Sequence, residues 1–142
     1  VNAFGDILEP ESGHILAGAR TAPDSRDLAD TAASMIRGAH RTTARDQQGQ
    51  NTTLAVVATN ARLNKVQATK LAQMANAGFA RTVSPAWTMF DGDVTFALSL
   101  GKFECDLVAV GAAPAQARAQ TIDRAVQLAT SSGGLPGLFT NR

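Results

Sequence analysis

The sequence predicts an α/β fold in which helices are layered on a sheet. Two apolar, strand-like runs at 52–59 and 94–100 alternate with two segments of helical period. A shorter strand–turn–strand–helix pattern precedes them. Composition is the third observation: 44% of the 142 residues are hydrophobic and 18% charged, which suits one domain with a packed core. Aromatic residues make up only 5%, so the core must rest largely on Ala, Val and Leu, and such small side chains let elements approach closely.

Residues 1–8 read as a strand with Val1, Ala3, Ile7 and Leu8 apolar, and Gly5-Asp6 suggests a bulge or tight bend. Residues 9–13 form a turn, and Ile15 to Gly18 returns as a second strand to close a hairpin. After a loop at 21–26, Asp27 can cap a short helix to about Arg37, with Leu28, Ala32, Met35 and Ile36 on one face and Gly38 ending it. Residues 39–50 have almost no apolar content and no period, the composition of a surface linker. The pattern then changes abruptly. Thr52 to Thr59 is apolar and β-branched, as a buried strand is. Asn60 to Asn64 turns the chain into a helix over Lys65 to Thr82, whose stripe holds Val66, Leu71, Met74, Ala75, Gly78 and Phe79. Ser84-Pro85 breaks it. Asp91-Gly92-Asp93 is a turn by composition, and Val94 to Leu100 is another strand. Residues 106–131 are mostly helical, with Gly111 and Pro114 predicting an irregular early turn and Ile122, Ala125, Val126 and Ala129 a later stripe. The glycine-rich tail at 132–142 reads as loose.

Charge narrows the function classes. A formal net charge of +1 gives no electrostatic case for nucleic acid or an anionic membrane. Arg37, Arg41 and Arg45 read as a solvated run, and His14 and His40 as surface residues. Cys105 is the single cysteine, so an internal disulfide and a Cys/His metal cluster are both ruled out. Its neighbours Glu104 and Asp106 disfavour a thiolate. No cofactor and no metal are expected. The free cysteine suits a reducing cytoplasm, which is the expected compartment. No stretch is long and apolar enough to span a bilayer. The chain opens in what reads as mid-strand, so the expectation is the C-terminal part of a longer protein.

Three places can carry chemistry. At Asn51-Thr52-Thr53 a polar loop runs into a rigid apolar strand, which sets a hydroxyl on the strand's first residue. If the Asn51–Thr52 bond is cut, Thr52 holds a hydroxyl and an α-amine of pKa about 7.7–8.0, nucleophile and general base in one residue. By spacing alone, the same pair is an ordinary strand start. Asp91 and Asp93 flank a glycine before a strand and can orient the Thr52 amine and hydroxyl, or simply form a solvated turn. Two carboxylates are thin support for a divalent cation. The Asn2 side-chain amide can donate to a developing oxyanion, or be a plain strand residue.

The run from Asn51 to Leu100, with N-T-T-L, W-T-M-F-D-G-D and the upstream V-N-A-F-G, resembles the self-processing D-aminopeptidase and β-aminopeptidase family of N-terminal-nucleophile hydrolases. Within it the threonine branch, containing the nylon-oligomer (6-aminohexanoate oligomer) hydrolases, is the nearer match. The resemblance implies an αββα sandwich with its own connectivity. It implies an autocatalytic cut between Asn51 and Thr52, by an N-to-O acyl shift and hydrolysis. Residues 1–51 would be the end of an α-chain and residues 52–142 a β-chain, parts of one domain. Thr52 would then hydrolyse linear amides through an acyl-enzyme. Asp91 and Asp93 match carboxylates around the nucleophile, and Asn2 an oxyanion asparagine. Implied partners are a small amide or peptide substrate, the preceding part of the α-chain, and further αβ units in a homo-oligomer. Relatives carry a tyrosine at the oxyanion site and a lysine near the nucleophile in that preceding part, and this sequence has no tyrosine. Trp87 stands where the nylon-oligomer branch commonly has histidine. The alternatives are a self-processing acyltransferase of the ornithine acetyltransferase type, whose β-chain start Thr52 to Thr59 echoes, and an inactive fragment.

Overall fold

The computed structural model describes residues 1–38 and 51–139. The linker expected at 39–50 and the last residues, 140–142, lie outside the described residues, as does His40. The elements are β1 (Asp6–Leu8), β2 (Ile15–Ala17), α1 (Thr31–Ile36), β3 (Leu54–Ala61), α2 (Lys65–Ala80), β4 (Val83–Ser84), β5 (Val94–Phe103) and α3 (Leu107–Gln127). The fold is mixed α/β, as the sequence predicts. Its strands form two sheets: antiparallel β2-β1-β4, and a parallel pair, β3-β5.

Several elements differ from expectation, each for a local reason. Only Asp6–Leu8 of the first eight residues is strand. Gly5 is not the bulge; it lies where a Cβ would run into the Ser84–Pro85 backbone, and the register shift falls between Ile7 and Leu8. Asp30, not Asp27, caps α1, its carboxylate accepting from the Ala33 amide. Asp6 of β1 is buried against the start of α1, taking the Thr31 amide at 2.6 Å, the Thr31 hydroxyl at 2.7 Å and the Ala19 amide at 3.1 Å. Helix α2 begins at a capping box, with Asn64 and Gln67 each accepting the other's backbone N–H.

Helix α3 runs unbroken through Gly111 and Pro114. The reason is packing. Gly111 accepts the Met74 side chain from α2, and Gly78 of α2 lies directly against the Ala115 carbonyl. The helices touch where side chains are absent. The tail after α3 is folded back: Phe139 donates to the Ala129 carbonyl at 3.0 Å and the Gly137 amide to the Ser131 hydroxyl at 3.0 Å. The main cluster joins Ile7 of β1, Phe79 of α2, Val83 of β4 and Ile122 of α3.

The sequence predicts a buried strand over Thr52 to Thr59, and the observed strand, β3, starts at Leu54. Ala55, Val57 and Thr59 turn inward, while Leu54 and Val56 are 66% and 63% exposed. Among the described residues the helices cover one face of the β3-β5 pair only.

Candidate active site

Parallel pairing brings the sequence motifs together. Leu54 pairs with Val94 and Asn51 with Asp91, a constant offset of 40 (94 − 54 = 91 − 51). The same offset places Thr52 beside Gly92 and Thr53 beside Asp93. The Thr53 amide donates to Asp93 Oδ1 at 2.7 Å, and Gly92 donates to the Asn51 carbonyl at 2.8 Å. The N-terminal run lies across this junction. The Thr52 amide donates to the Asn2 carbonyl at 2.9 Å, Asn51 Nδ2 to the Ala3 carbonyl at 3.2 Å, and the Phe4 amide to Asp91 Oδ1 at 3.1 Å. The Phe4 and Phe90 rings stack with centroids 5.0 Å apart. Asn2, Asn51, Thr52, Asp91 and Asp93 thus converge, although the first and last of them are 91 positions apart (93 − 2).

At the centre, the half-buried Thr52 hydroxyl donates to the carbonyl oxygen of Asn51 at 2.8 Å, across the peptide bond that joins the two residues. The two carboxylates work one step away from it. Asp91 Oδ2 accepts from the Thr88 amide at 3.0 Å and the Thr88 hydroxyl at 2.6 Å while Oδ1 holds Phe4, so this side chain ties residues 2–4 to the turn at 88–91. Asp93 fixes the backbone directly after Thr52. Among the described residues, with the Asn51–Thr52 bond intact, the carboxylate hydrogen bonds go to the Phe4, Thr53 and Thr88 backbone amides and the Thr88 hydroxyl. The backbone carbonyl of Asn2 accepts from the Thr52 amide, which brings the side-chain amide expected at the oxyanion to the same junction.

Asp93 Oδ2 and Thr53 Oγ1 are buried atoms that have no hydrogen-bond partner among the described residues. Burial lifts the Asp93 carboxyl above its ordinary value; the Thr53 N–H opposes this, the Asp91 charge adds to it, and the Arg118 charge opposes it. Arg118 was not singled out from the sequence. It comes from α3, is 7% exposed, and lies over the Phe79 ring with its guanidinium carbon 4.5 Å from the centroid. Its Nη1 donates to Asn76 Oδ1 and to Thr95 Oγ1, two residues beyond Asp93 on the same face of β5. Burial pushes the guanidinium down, and Asp93 resists that shift. The readable signal was an arginine on an apolar stripe, seven residues after Gly111 and four before Ile122.

A cavity of about 610 Å³ begins at Thr53 and runs between β3 and α3, with Ala55, Val57, Val110, Pro114 and Ile122 among its walls. Among the described residues no cluster of three or more His, Cys, Asp or Glu side chains is placed to hold a metal ion. No described helix is long and apolar enough to cross a membrane.

Known proteins are similar to this chain. An aminopeptidase of Mycobacterium leprae, itself named as uncharacterized, is 37% identical over 107 residues, covering 63% of this chain and 30% of that protein. Likewise-named aminopeptidases of Mycobacterium bovis and Mycobacterium tuberculosis are each 34% identical over 158 residues, covering 96% of this chain and 44% of theirs. The chain therefore spans less than half the length of these curated relatives. The profile of peptidase family S58 matches residues 16–137, from β2 to beyond α3, and the chain belongs to that family.

Proposed function

We propose that this chain is the nucleophile-bearing part of a self-cleaving amide hydrolase, cut between Asn51 and Thr52, with Thr52 then attacking linear amides in short peptides or ω-amino-acid oligomers. The observation that carries this reading is the Asn51–Thr52 junction: a hydroxyl 2.8 Å from the oxygen of its own preceding carbonyl, at the mouth of a sheet, beside a half-buried carboxylate. Self-cleavage needs no outside base for its proton balance. Thr52 Oγ bonds the Asn51 carbonyl carbon, the C–N bond breaks, and the hydroxyl proton ends on the departing nitrogen. Water then hydrolyses the ester, leaving Asn51 as a carboxylate and returning a proton to Oγ. The new amine starts against the Asn2 carbonyl, and Asp93 holds the backbone behind it. Either an amide substrate or an acyl acceptor can follow, but the Asp91-Gly92-Asp93 arrangement favours the hydrolase over the acyltransferase. The apolar cavity leading from Thr53 suits a methylene chain or a small apolar side chain.

The αββα sandwich belongs to the same proposal. Leu54, Val56, Val94, Phe96, Leu98 and Leu100 line the outer face of β3-β5, all between 37% and 66% exposed. A second layer covering that face, from the greater length such proteins have, completes the sandwich, and αβ units then associate. The test is intact mass under denaturing conditions with N-terminal sequencing. Two polypeptides, beginning at Val1 and Thr52, are expected, the second of 91 residues (142 − 51). Thr52→Ala is expected to stay at the full 14.8 kDa and to lose amide hydrolysis. Processing or activity surviving in Thr52→Ala would end the proposal.

A further inference from the structure

A glycine between two aspartates reads as turn chemistry, yet Gly92 does not use left-handed backbone. Its place is explained by what surrounds it. The isolated bridge between Asn51 and Asp91 is the first pairing, in the register that the β3-β5 ladder continues, and the Val94 amide bonding the Thr53 carbonyl at 3.2 Å is the next. At that first pairing the Gly92 N–H points at the Asn51 carbonyl oxygen from 2.8 Å. This is the oxygen that gains charge when Thr52 attacks. A fixed N–H aimed at where such an oxygen comes to rest stabilises a tetrahedral intermediate, with losses of about 10²–10³ in rate when one donor is removed, and the Gly92 N–H is already aimed at the ground-state oxygen.

The second observation is steric. A Cβ on residue 92 would lie 2.8 Å from Thr52 Oγ1, whereas the Asn51 oxygen and Thr52 Cβ would be 3.7 and 3.9 Å away. Among the described residues the sole close neighbour of that missing Cβ is the attacking atom. Relief would require the hydroxyl to rotate away from the Asn51 carbonyl.

We propose that the Gly92 amide is the oxyanion donor of the self-cleavage step, and that residue 92 must be glycine to leave the Thr52 hydroxyl its attacking position. This rests on the reading of Thr52 as the nucleophile. As the C–O bond forms, the carbonyl π electrons move onto the Asn51 oxygen, and the Gly92 N–H stabilises the negative charge there by hydrogen bonding. When they return, the C–N bond breaks and the nitrogen leaves with the proton that began on Oγ. The sheet supplies the donor through its own ladder, so the hydrogen bond that starts β3-β5 also primes the bond to be cut.

Cell-free translation gives a defined starting time for a test. Wild type, Gly92→Ala, and a chain with glycolate at position 92 would be followed by mass spectrometry, with circular dichroism to confirm folding. Glycolate replaces the N–H by an ester oxygen and adds no side chain. Gly92→Ala is expected to slow cleavage by about 10²-fold or more, the scale of a misplaced reacting atom. The glycolate chain is expected to slow by about 10²–10³-fold. A folded glycolate chain that matches wild type would overturn the donor assignment, and Gly92→Ala matching wild type would overturn the steric one. A wild-type chain that never cleaves would instead sink the Thr52 reading, and this inference with it.

Discussion

At the residue scale, the two aspartates that look alike in sequence have opposite environments. Asp91 is satisfied by three donors and anchors backbone. Asp93 takes the Thr53 amide on one oxygen and buries the other with no partner among the described residues, which lifts its carboxyl above the ordinary value. A group whose folded value is raised adds stability that is fully present below its unfolded pKa and is lost as pH rises through the folded one. Ionised Asp93 is therefore a liability at neutral pH. Asp93→Asn, made in the Thr52→Ala background so that both chains stay intact, is expected to melt higher than its parent at pH 7, with the gain vanishing at acid pH where the parent carboxyl is already protonated. In otherwise wild-type protein the same change is expected to slow processing. A lower melting temperature at pH 7 would show that the carboxylate stabilises the fold, and so is not held there at a cost for function. The sequence pointed to both aspartates but could not separate them. The Phe4 amide that helps fix Asp91 is 87 positions away, and Arg118 enters from α3.

At the element scale, the close approach of α2 and α3 decides what was readable. Helix α2 was legible because its own period and Ser84-Pro85 define it, and its buried residues Leu71, Ala75, Gly78 and Phe79 all lie on the predicted stripe. Helix α3 was misread at Gly111 and Pro114. Local rules charge an interior proline about 3 kcal/mol, but they do not include the Met74 side chain that needs Gly111 bare. The two-residue strand β4 has no pattern of its own and exists by pairing with β1. If glycine sets this helix spacing, Gly78→Ala forces its Cβ into the Ala115 carbonyl and should destabilise the chain by about 1–3 kcal/mol, as overpacking does. Ala77→Ser, one position away on the exposed side, should stay within about 0.5 kcal/mol. Urea titrations of both variants give the comparison, and equal midpoints would mean that the helices separate freely and the glycine is incidental.

At the scale of the whole molecule, the β3-β5 pair has an unusual division of side chains. Thr95, Ala97 and Ser99 face inward with Ala55, Val57 and Thr59, while Val94, Phe96, Leu98 and Leu100 face outward with Leu54 and Val56. In sequence this reads as a strand apolar on both sides, and so as doubly buried. The small residues meet the helices closely, and the large ones are left to water. Contiguous apolar surface of this kind marks an interaction face on a soluble domain. The proposed second layer accounts for it, since large side chains outward are what a sheet-on-sheet core requires. The consequence is measurable in the chain by itself. It should bind a hydrophobic dye and self-associate with rising concentration. Phe96→Lys combined with Leu98→Glu should suppress both while leaving the melting temperature nearly unchanged, because neither side chain is buried here: each is 54% exposed. Sedimentation velocity and dye fluorescence on the two chains decide it. A large fall in melting temperature, or a wild-type chain that neither binds dye nor associates, would mean the face is already covered within this chain and needs no second layer.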